Sequence, residues 1–179
     1  MAHLDHLVVG SADLDRGVAW VAERLGTAPV PGGSHEGVGT RNALLGLGPT
    51  QYLEVLALDP DQADVARGPL AEEVAGCAEP RLLTLAVATT DLPGDPVAMS
   101  RVRPDGVRLE WALSFTPTPL FFIDWRDSPH PTTTLPDGGR ITRVAVTTPE
   151  PHWFDGVVGV EVDAGPWSVR AWFGDVELA

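Results

Sequence analysis

The chain has 179 residues, of which 44% are hydrophobic, and it carries a formal net charge of −13 at pH 7. This length fits one domain with its own core, and this charge excludes nucleic acid and anionic membranes as partners, because both bind clustered cations. All 12 cationic side chains are arginines, which excludes a Schiff-base lysine and a phosphate-loop lysine. Strand-sized apolar runs, a single cysteine and an N-terminus without a secretory pattern lead us to expect a soluble, cytoplasmic protein.

The first predicted elements are a strand, a helix and further strands. The stretch LDHLVVGS, residues 4–11, is rich in residues that favour strands, and Asp13 follows as a helix N-cap. Apolar residues then recur at helical spacing until Gly26, which ends the helix. A loop rich in Gly and Pro at 29–39 precedes two strand-like runs between residues 40 and 58.

The beginning of this unit recurs later in the chain. LDHLVVGSADL at 4–14 and LLTLAVATTDL at 82–92 align without a gap, and ITRVAVTTPEP at 141–151 repeats their apolar alternation. Where the first copy has its helix, the second has only LPGDP, a stretch too short and too rich in proline for a helix. We therefore predict that the second copy lacks its helix.

The remaining segments connect and extend the two copies. A short helix is predicted at 69–76, and the tail is predicted to form three strands, at 141–148, 158–164 and 167–178. The predicted parts of one compact domain are a first module at 1–60, a linker at 61–80, an abbreviated second module at 81–135 and a C-terminal β segment at 136–179. A missing helix leaves one face of the second sheet for the tail or a second subunit to cover, so we expect a homodimer.

Two strand positions are candidates for a buried polar site. His6 lies in the apolar run LDHLVV, and Glu54 interrupts the apolar run QYLEVLAL. Burying a carboxylate in a strand costs several kcal/mol, roughly, unless it is paired or bound to a cation, which favours a site role for Glu54. Two alternatives remain: His6 also fits a hydrogen-bonded core residue, and Glu54 also fits a strand position that faces solvent.

Two further candidates lie near the end of the second module. Asp124 in FFIDW matches Glu54 in position, although Arg126 two residues later on the same strand face offers a simple salt bridge instead. His130 in SPHPT fits a ligand or proton-transferring residue beside a site, and it also fits a surface histidine.

The glycine-rich stretch GGSHEGVGTRN, residues 32–42, also contains candidates. It fits either a flexible connection or a loop at the rim of a site. In the second case His35, Arg41 and Asn42 contact the substrate, and the forked donors of Arg41 suit a carboxylate.

Four stretches together resemble the glyoxalase-like domain family of the vicinal oxygen chelate superfamily. They are LDHLVVGSADLDRGVAW, HEGVGTRNALLGLGPTQYLEVLA, MSRVRPDGVRLEWAL and FFIDWRDSPHP, within residues 4–135. The resemblance implies an α+β fold of two tandem βαβββ-type modules, here with the second module lacking its helix and with a C-terminal β segment added. In the superfamily such modules form a curved sheet around a metal ion.

The resemblance also implies metal ligands. It places them at His6 and Glu54 in the first module and at Thr84 and Asp124 in the second. A neutral hydroxyl is a poor ligand for a divalent ion, so the expected ligands are His6, Glu54 and Asp124. One imidazole with two carboxylates suits Mn, Fe or Mg, or else Zn.

Two functional hypotheses follow from the resemblance. The first is a metal-dependent enzyme of the lyase, isomerase or dioxygenase type that acts on a small molecule with two neighbouring oxygens, with Glu54 and His130 as catalytic residues. The alternative is a metal-free protein that binds a small molecule or sequesters an antibiotic. The pair His6 and Glu54 favours the first hypothesis, whereas Thr84 favours the second.

Overall fold

The first part of the chain forms one βαβββ unit in the computed structural model, which describes residues 1–103 and 105–179. Its elements are β1 (His3–Gly10), α1 (Leu14–Leu25), β2 (Val30–His35), β3 (Thr40–Gly46) and β4 (Tyr52–Leu58). Helix α1 follows the N-cap Asp13, whose carboxylate accepts a hydrogen bond from the backbone N–H of Arg16, and it ends at Gly26 with a φ of 76°. Both ends of α1 agree with the sequence prediction, because they depend on local capping residues.

The second unit is shorter. Its elements are α2 (Pro69–Ala75), β5 (Arg81–Ala88), β6 (Val97–Val102), β7 (Arg108–Phe115) and β8 (Phe121–Asp124). Residues 89–96, which join β5 to β6, contain no helix, so the predicted loss of the helix is confirmed. Within the described residues, neither helix is long and apolar enough to cross a membrane.

Both units contribute to one eight-stranded sheet in the order β2-β3-β4-β1-β5-β8-β7-β6. Strands β1 and β5 pair antiparallel at its centre, and each pairs in parallel with the last strand of its own unit. The edge strands β2 and β6 approach so closely that a Cβ atom at Gly33 would lie 3.2 Å from the carbonyl oxygen of Val102. The sheet therefore curls into a cup.

The C-terminal segment covers the outer face of the second unit. Its strands are β9 (Arg143–Thr148), β10 (Glu161–Ala164), β11 (Ser168–Phe173) and β12 (Val176–Leu178), in the order β10-β9-β11-β12. Val146 and Val169 of this sheet belong to the same buried cluster as Leu85 of β5, and the indole N–H of Trp167 donates to the carbonyl oxygen of Leu83 at 3.0 Å. The segment thus takes the place of the missing helix, and the bare face on which we based the expected homodimer is already covered.

Two strands differ from the sequence prediction. Strand β2 occupies part of the stretch predicted as a loop, because an edge strand paired only with β3 tolerates Pro31, and the irregular pairing between Pro31 and Gly33 accommodates the glycine φ of 139°. The predicted strand at 167–178 is divided by a turn at Gly174, whose φ is 62°, into the hairpin of β11 and β12.

Candidate functional site

The inner face of the cup lines a cavity of about 700 Å³. One part of its wall is polar and consists of His6, His35, Asn42, Glu54 and Arg101. Most of the remaining wall is apolar and includes Tyr52, Leu56, Met99, Trp111, Leu113, Phe121, Ile123 and Trp125. Exposed lining residues at Gly68, Pro69 and Phe115 mark the opening to solvent.

His6 on β1 and Glu54 on β4 meet in the polar part of the wall. The parallel register pairs His6 with Tyr52 and Val8 with Glu54, so the two side chains lie on the same face of neighbouring strands. His6 Nε2 lies 3.7 Å from Glu54 Oε2, and both side chains are buried. The His6 ring also stacks on Tyr52 with 4.4 Å between ring centroids. The structure therefore brings these two predicted site residues together.

Asp5 holds His6 in place from the neighbouring position of the same strand. Successive side chains of a strand normally point to opposite faces, but the pairing of β1 with β5 is irregular between Leu4 and His6, which allows Asp5 to reach the imidazole of His6. Asp5 Oδ1 lies 2.6 Å from His6 Nδ1, and Asp5 Oδ2 lies 3.1 Å from the indole nitrogen of Trp125 and 3.2 Å from His130 Nε2.

These contacts determine the charge of Asp5 and the tautomer of His6. Burial alone would raise the pKa of Asp5, but the hydrogen bonds from His130 and His6 outweigh it and lower this pKa to about 2. An ionised carboxylate only accepts hydrogen bonds, so His6 Nδ1 carries the proton that it donates to Asp5. In the neutral imidazole, Nε2 is then an acceptor directed at Glu54 and the cavity.

Asn42 on β3 connects Glu54 to two other side chains. Its amide N–H donates to Glu54 Oε1 at 2.6 Å, its amide nitrogen lies 3.2 Å from His35 Nε2, and its oxygen accepts from Arg101 at 3.0 Å. Burial lowers the pKa of His35 despite the opposing effect of the Glu54 charge, so the neutral ring accepts the second amide hydrogen. Asn42 is therefore fully engaged, and Glu54 Oε2 and His6 Nε2 remain directed at the cavity.

Asp124 does not join this pair, which corrects the predicted set of three metal ligands. Its two neighbours Ile123 and Trp125 line the cavity, so the alternation of the strand directs Asp124 to the opposite face. There its Oδ1 accepts a hydrogen bond from the backbone N–H of Arg126 at 2.9 Å. Only the two predicted ligands of the first unit lie together.

The other polar groups near the pair do not complete a metal site. The hydroxyl of Thr84 donates to the carbonyl oxygen of Pro119 at 2.8 Å, and Asn42 presents N–H groups rather than its oxygen to Glu54 and His35. Residues 1–103 and 105–179 contain no group of three or more His, Cys, Asp or Glu side chains placed to hold a metal ion. The donor set therefore does not fit the divalent ion that the family resemblance implies.

The residues predicted to contact substrate are divided between the two faces of the β2–β3 hairpin. His35 and Asn42 line the cavity. Arg41 is absent from its lining, because it lies between the cavity-facing Thr40 and Asn42 on β3 and points to the other face. The prediction of Arg41 as a substrate contact is thus corrected, and the predicted rim loop is a pair of strands. His130 contacts Asp5 rather than the cavity.

Asp5 and Arg101 are two residues of the site that were not predicted from the sequence. Asp5 interrupts the same apolar run as His6, so the argument applied to Glu54, that a buried carboxylate needs a partner, would have identified it. Arg101 has no comparable signal in the sequence. Its contact with Asn42 forms only because the curled sheet brings β6 against the β2–β3 hairpin.

Comparison with known proteins agrees with this architecture. A family model described as a glyoxalase-like domain matches residues 4–156, which is most of the chain. The chain belongs to the glyoxalase-like domain family. The resemblance to that family and the predicted α+β fold are thereby confirmed. No curated protein sequence matches this glyoxalase-like chain.

Comparison with solved structures finds similar chains at low sequence identity, and the first of those described here shares the fold. A hypothetical protein from Staphylococcus aureus is 18% identical to this glyoxalase-like protein, with a TM-score of 0.65 over 99% of this chain and 88% of that chain. Methylmalonyl-CoA epimerase from Mycobacterium tuberculosis is 20% identical, with a TM-score of 0.42 over 68% of this chain and 86% of that chain. A Streptomyces coelicolor methylmalonyl-CoA epimerase in complex with 2-nitronate-propionyl-CoA is 18% identical, with a TM-score of 0.44 over 72% and 97% of the two chains.

Proposed function

We propose that this glyoxalase-like protein is an enzyme that moves protons on a small molecule with two neighbouring oxygens, with Glu54 as its proton-transferring residue and His6 as the residue that binds the substrate hydroxyl. One observation supports this above all others. Two acceptor atoms, His6 Nε2 and Glu54 Oε2, lie 3.7 Å apart and face a cavity of about 700 Å³. Paired bases beside an enclosed, largely apolar space suit general acid–base catalysis.

The proposed step uses only residues of this chain. Glu54 Oε2 removes a proton from a carbon next to a carbonyl group, the electron pair of that C–H bond forms a C=C bond, and the π pair of the carbonyl group moves to its oxygen. The resulting enolate takes a proton back on carbon from the Glu54 carboxylic acid, which exchanges its proton with solvent water, so no oxidant or reductant is needed. His6 Nε2 accepts a hydrogen bond from the neighbouring hydroxyl of the substrate, and Arg101 supplies positive charge close to the oxygen that becomes negative.

Asp5 and Asn42 act as positioning residues in this proposal. Asp5 fixes the tautomer of His6, as carboxylates do for catalytic histidines elsewhere. Asn42 fixes one oxygen of Glu54 and leaves the other free for the substrate. No step passes through a metal ion, because the donors that face the cavity among the described residues do not form a suitable ligand set.

Solvent exchange of phenacyl alcohol tests the proposal. This compound carries a carbonyl and a hydroxyl on neighbouring carbons, and proton NMR in deuterated water follows the loss of its CH₂ signal. We expect the protein to accelerate the loss above the buffer rate, and Glu54→Gln to slow the catalysed exchange by about 10² to 10⁴. Asp124→Asn is the matched control, because that carboxylate faces away from the cavity, and its rate should equal that of the unmodified protein.

Three outcomes would contradict the proposal. A rate equal to that of buffer, with phenacyl alcohol nevertheless bound, supports the metal-free binding protein instead. Full exchange in Glu54→Gln would remove Glu54 from the mechanism. Exchange that disappears with a chelator and returns with a divalent metal ion would show that a metal performs the step.

A further inference from the structure

We infer that the ligand of this cavity is an uncharged molecule with at least one ring and a polar head that donates hydrogen bonds, and that it is not linked to a polyphosphate. The location of the ligand rests on the proposed function, and the chemical class of the ligand is what is added here. Three properties of the cavity wall support it: its aromatic surface, its charge and its unpaired acceptors.

The aromatic surface forms one side of the cavity. Trp111 and Trp125 lie 5.5 Å apart between ring centroids, and Tyr52 lies 6.4 Å from Trp125. Phe121 and Ile123 of β8 continue this surface. Flat aromatic walls favour a ligand ring, because stacked or edge-to-face rings gain about 0.5–1.5 kcal/mol beyond the burial of their area. A cavity of about 700 Å³ also has room for a ring in addition to a small polar group.

The charge of the wall disfavours a ligand that is attached to an anionic group such as a diphosphate. Among the described residues that line the cavity, Arg101 is the only arginine, and one of its N–H groups already donates to Asn42. Two carboxylates, Glu54 and Glu73, line the same space, and the whole chain carries a net charge of −13. A diphosphate needs several cationic or N–H donors, so a neutral ligand fits this wall better.

The unpaired acceptors determine the polar head. His6 Nε2 and Glu54 Oε2 face the cavity as acceptors, whereas both amide hydrogens of Asn42 are used by Glu54 and His35. A polar head with hydroxyl groups can therefore donate hydrogen bonds to both atoms. A head with acceptors alone would leave His6 Nε2 and Glu54 Oε2 without hydrogen bonds, at a substantial cost in binding free energy.

Binding of styrene glycol tests the ligand class without any chemistry. This compound carries a phenyl ring and two hydroxyls but no carbonyl, so it cannot undergo the proposed exchange. We expect saturation-transfer NMR to show that it binds, and we expect its dimethyl ether, which lacks the donors, and propylene glycol, which lacks the ring, to bind about tenfold more weakly or worse. Acetyl-CoA should not compete with it.

Variants locate the binding. Trp111→Ala should weaken styrene glycol about tenfold, whereas Trp111→Phe should stay within about threefold because it keeps an aromatic face. Trp172→Ala is the control, since Trp172 lies against Arg143 and Arg170 on the C-terminal sheet rather than in the cavity. Circular dichroism checks that each variant folds, and unchanged binding by the folded Trp111→Ala variant would contradict this location.

The results separate this inference from the proposed function. Absence of styrene glycol binding, tighter binding of acetyl-CoA, or equal binding of the dimethyl ether would overturn the ligand class. Binding of styrene glycol together with no exchange of phenacyl alcohol would overturn only the proposed chemistry.

Discussion

His130 donates a hydrogen bond of 3.2 Å to Asp5, although the two residues are 125 positions apart in the chain. The same carboxylate accepts from His6 on the other side at 2.6 Å. One buried carboxylate thus links an imidazole at the cavity to an imidazole that is 23% exposed to solvent. The loop after β8 therefore helps to orient a residue of the first strand.

Asp5 should make the stability of the protein sensitive to acid. Its pKa falls from 3.8 to about 2 on folding, so the ionised form stabilises the folded state at pH values above about 4, and this contribution disappears as the pH falls toward 2. A lowering of this size corresponds to about 2 kcal/mol. Urea unfolding between pH 5 and pH 2, roughly the window of these two pKa values, should show the loss. Asp5→Asn should reduce the slope, and an unchanged slope would contradict this account.

His130→Ala should raise the pKa of Asp5, because it removes one of the two imidazole hydrogen bonds that lower it. A hydrogen bond to a charged group contributes about 1.5–3 kcal/mol, so the free energy of unfolding should fall by a similar amount. Carboxyl-carbon NMR measures the pKa. His152→Ala is the matched control at an exposed histidine, and an equal effect of both variants would mean that the contact with Asp5 is unimportant.

Gly32→Ala should disrupt the polar wall without changing any charge. A Cβ atom there would lie 2.2 Å from Asn42 Oδ1 and 2.5 Å from Arg101 Nη1, so these side chains must shift and we expect their hydrogen bond to be lost. We expect the catalysed exchange of phenacyl alcohol to fall about tenfold or more, because Glu54 loses its support. Gly165→Ala provides the control, since its Cβ would make only an ordinary contact with Thr147 at 3.7 Å. Equal rates in the two variants would argue against the positioning role of Asn42.

His35 should remain neutral at pH values where a solvent-exposed histidine is protonated, because burial lowers its pKa from 6.5. The unfolded state then binds more protons than the folded state, so His35 costs stability as the pH falls below about 6.5. Nitrogen NMR of the imidazole ring should show the neutral tautomer with the proton on Nδ1, which lies 2.9 Å from the hydroxyl of Thr40. A charged ring at pH values near 6 would contradict the network around Asn42.

Removal of residues 141–179 should cause self-association, because it exposes the outer face of β5 that the C-terminal sheet covers. Light scattering of the full chain should give the mass of one chain, 19.0 kDa. Twice that mass would support the homodimer and would place its interface on another surface.

Trp167→Phe tests the contact between the C-terminal sheet and β5 without a truncation. Loss of the hydrogen bond from the indole N–H to the carbonyl oxygen of Leu83 should lower the free energy of unfolding by about 1 kcal/mol, measured by chemical unfolding.

Local signals made much of the fold predictable. The N-cap Asp13 and the terminating Gly26 determine where helix α1 begins and ends, and each acts only on residues close to it in the chain. The alternation of apolar residues also identified β1 and β4, and with them the positions of His6 and Glu54. The prolines between Asp91 and residue 97 revealed the missing helix for the same local reason.

Features that depend on strand parity or on the curl of the sheet were not predictable in this way. Asp124 matches Glu54 when the apolar runs are aligned, yet in the sheet Glu54 pairs with Val8, and Ala86, the counterpart of Val8, pairs with Phe121. Asp124 is thus displaced by an odd number of residues and lies on the opposite face. Simple alternation likewise separates Asp5 from His6, and only the irregular pairing of β1 with β5 joins them. The contact between Arg101 and Asn42 requires the two edges of the sheet to meet.

The two halves of the cavity wall have different origins. His6, His35, Asn42 and Glu54 belong to the first unit, whereas Trp111, Phe121, Ile123 and Trp125 belong to the second. The first unit thus supplies His6 and Glu54, whereas the second supplies Arg101 and most of the aromatic wall. Ligand preference can therefore evolve, or be engineered, through strands β7 and β8 while His6 and Glu54 stay unchanged.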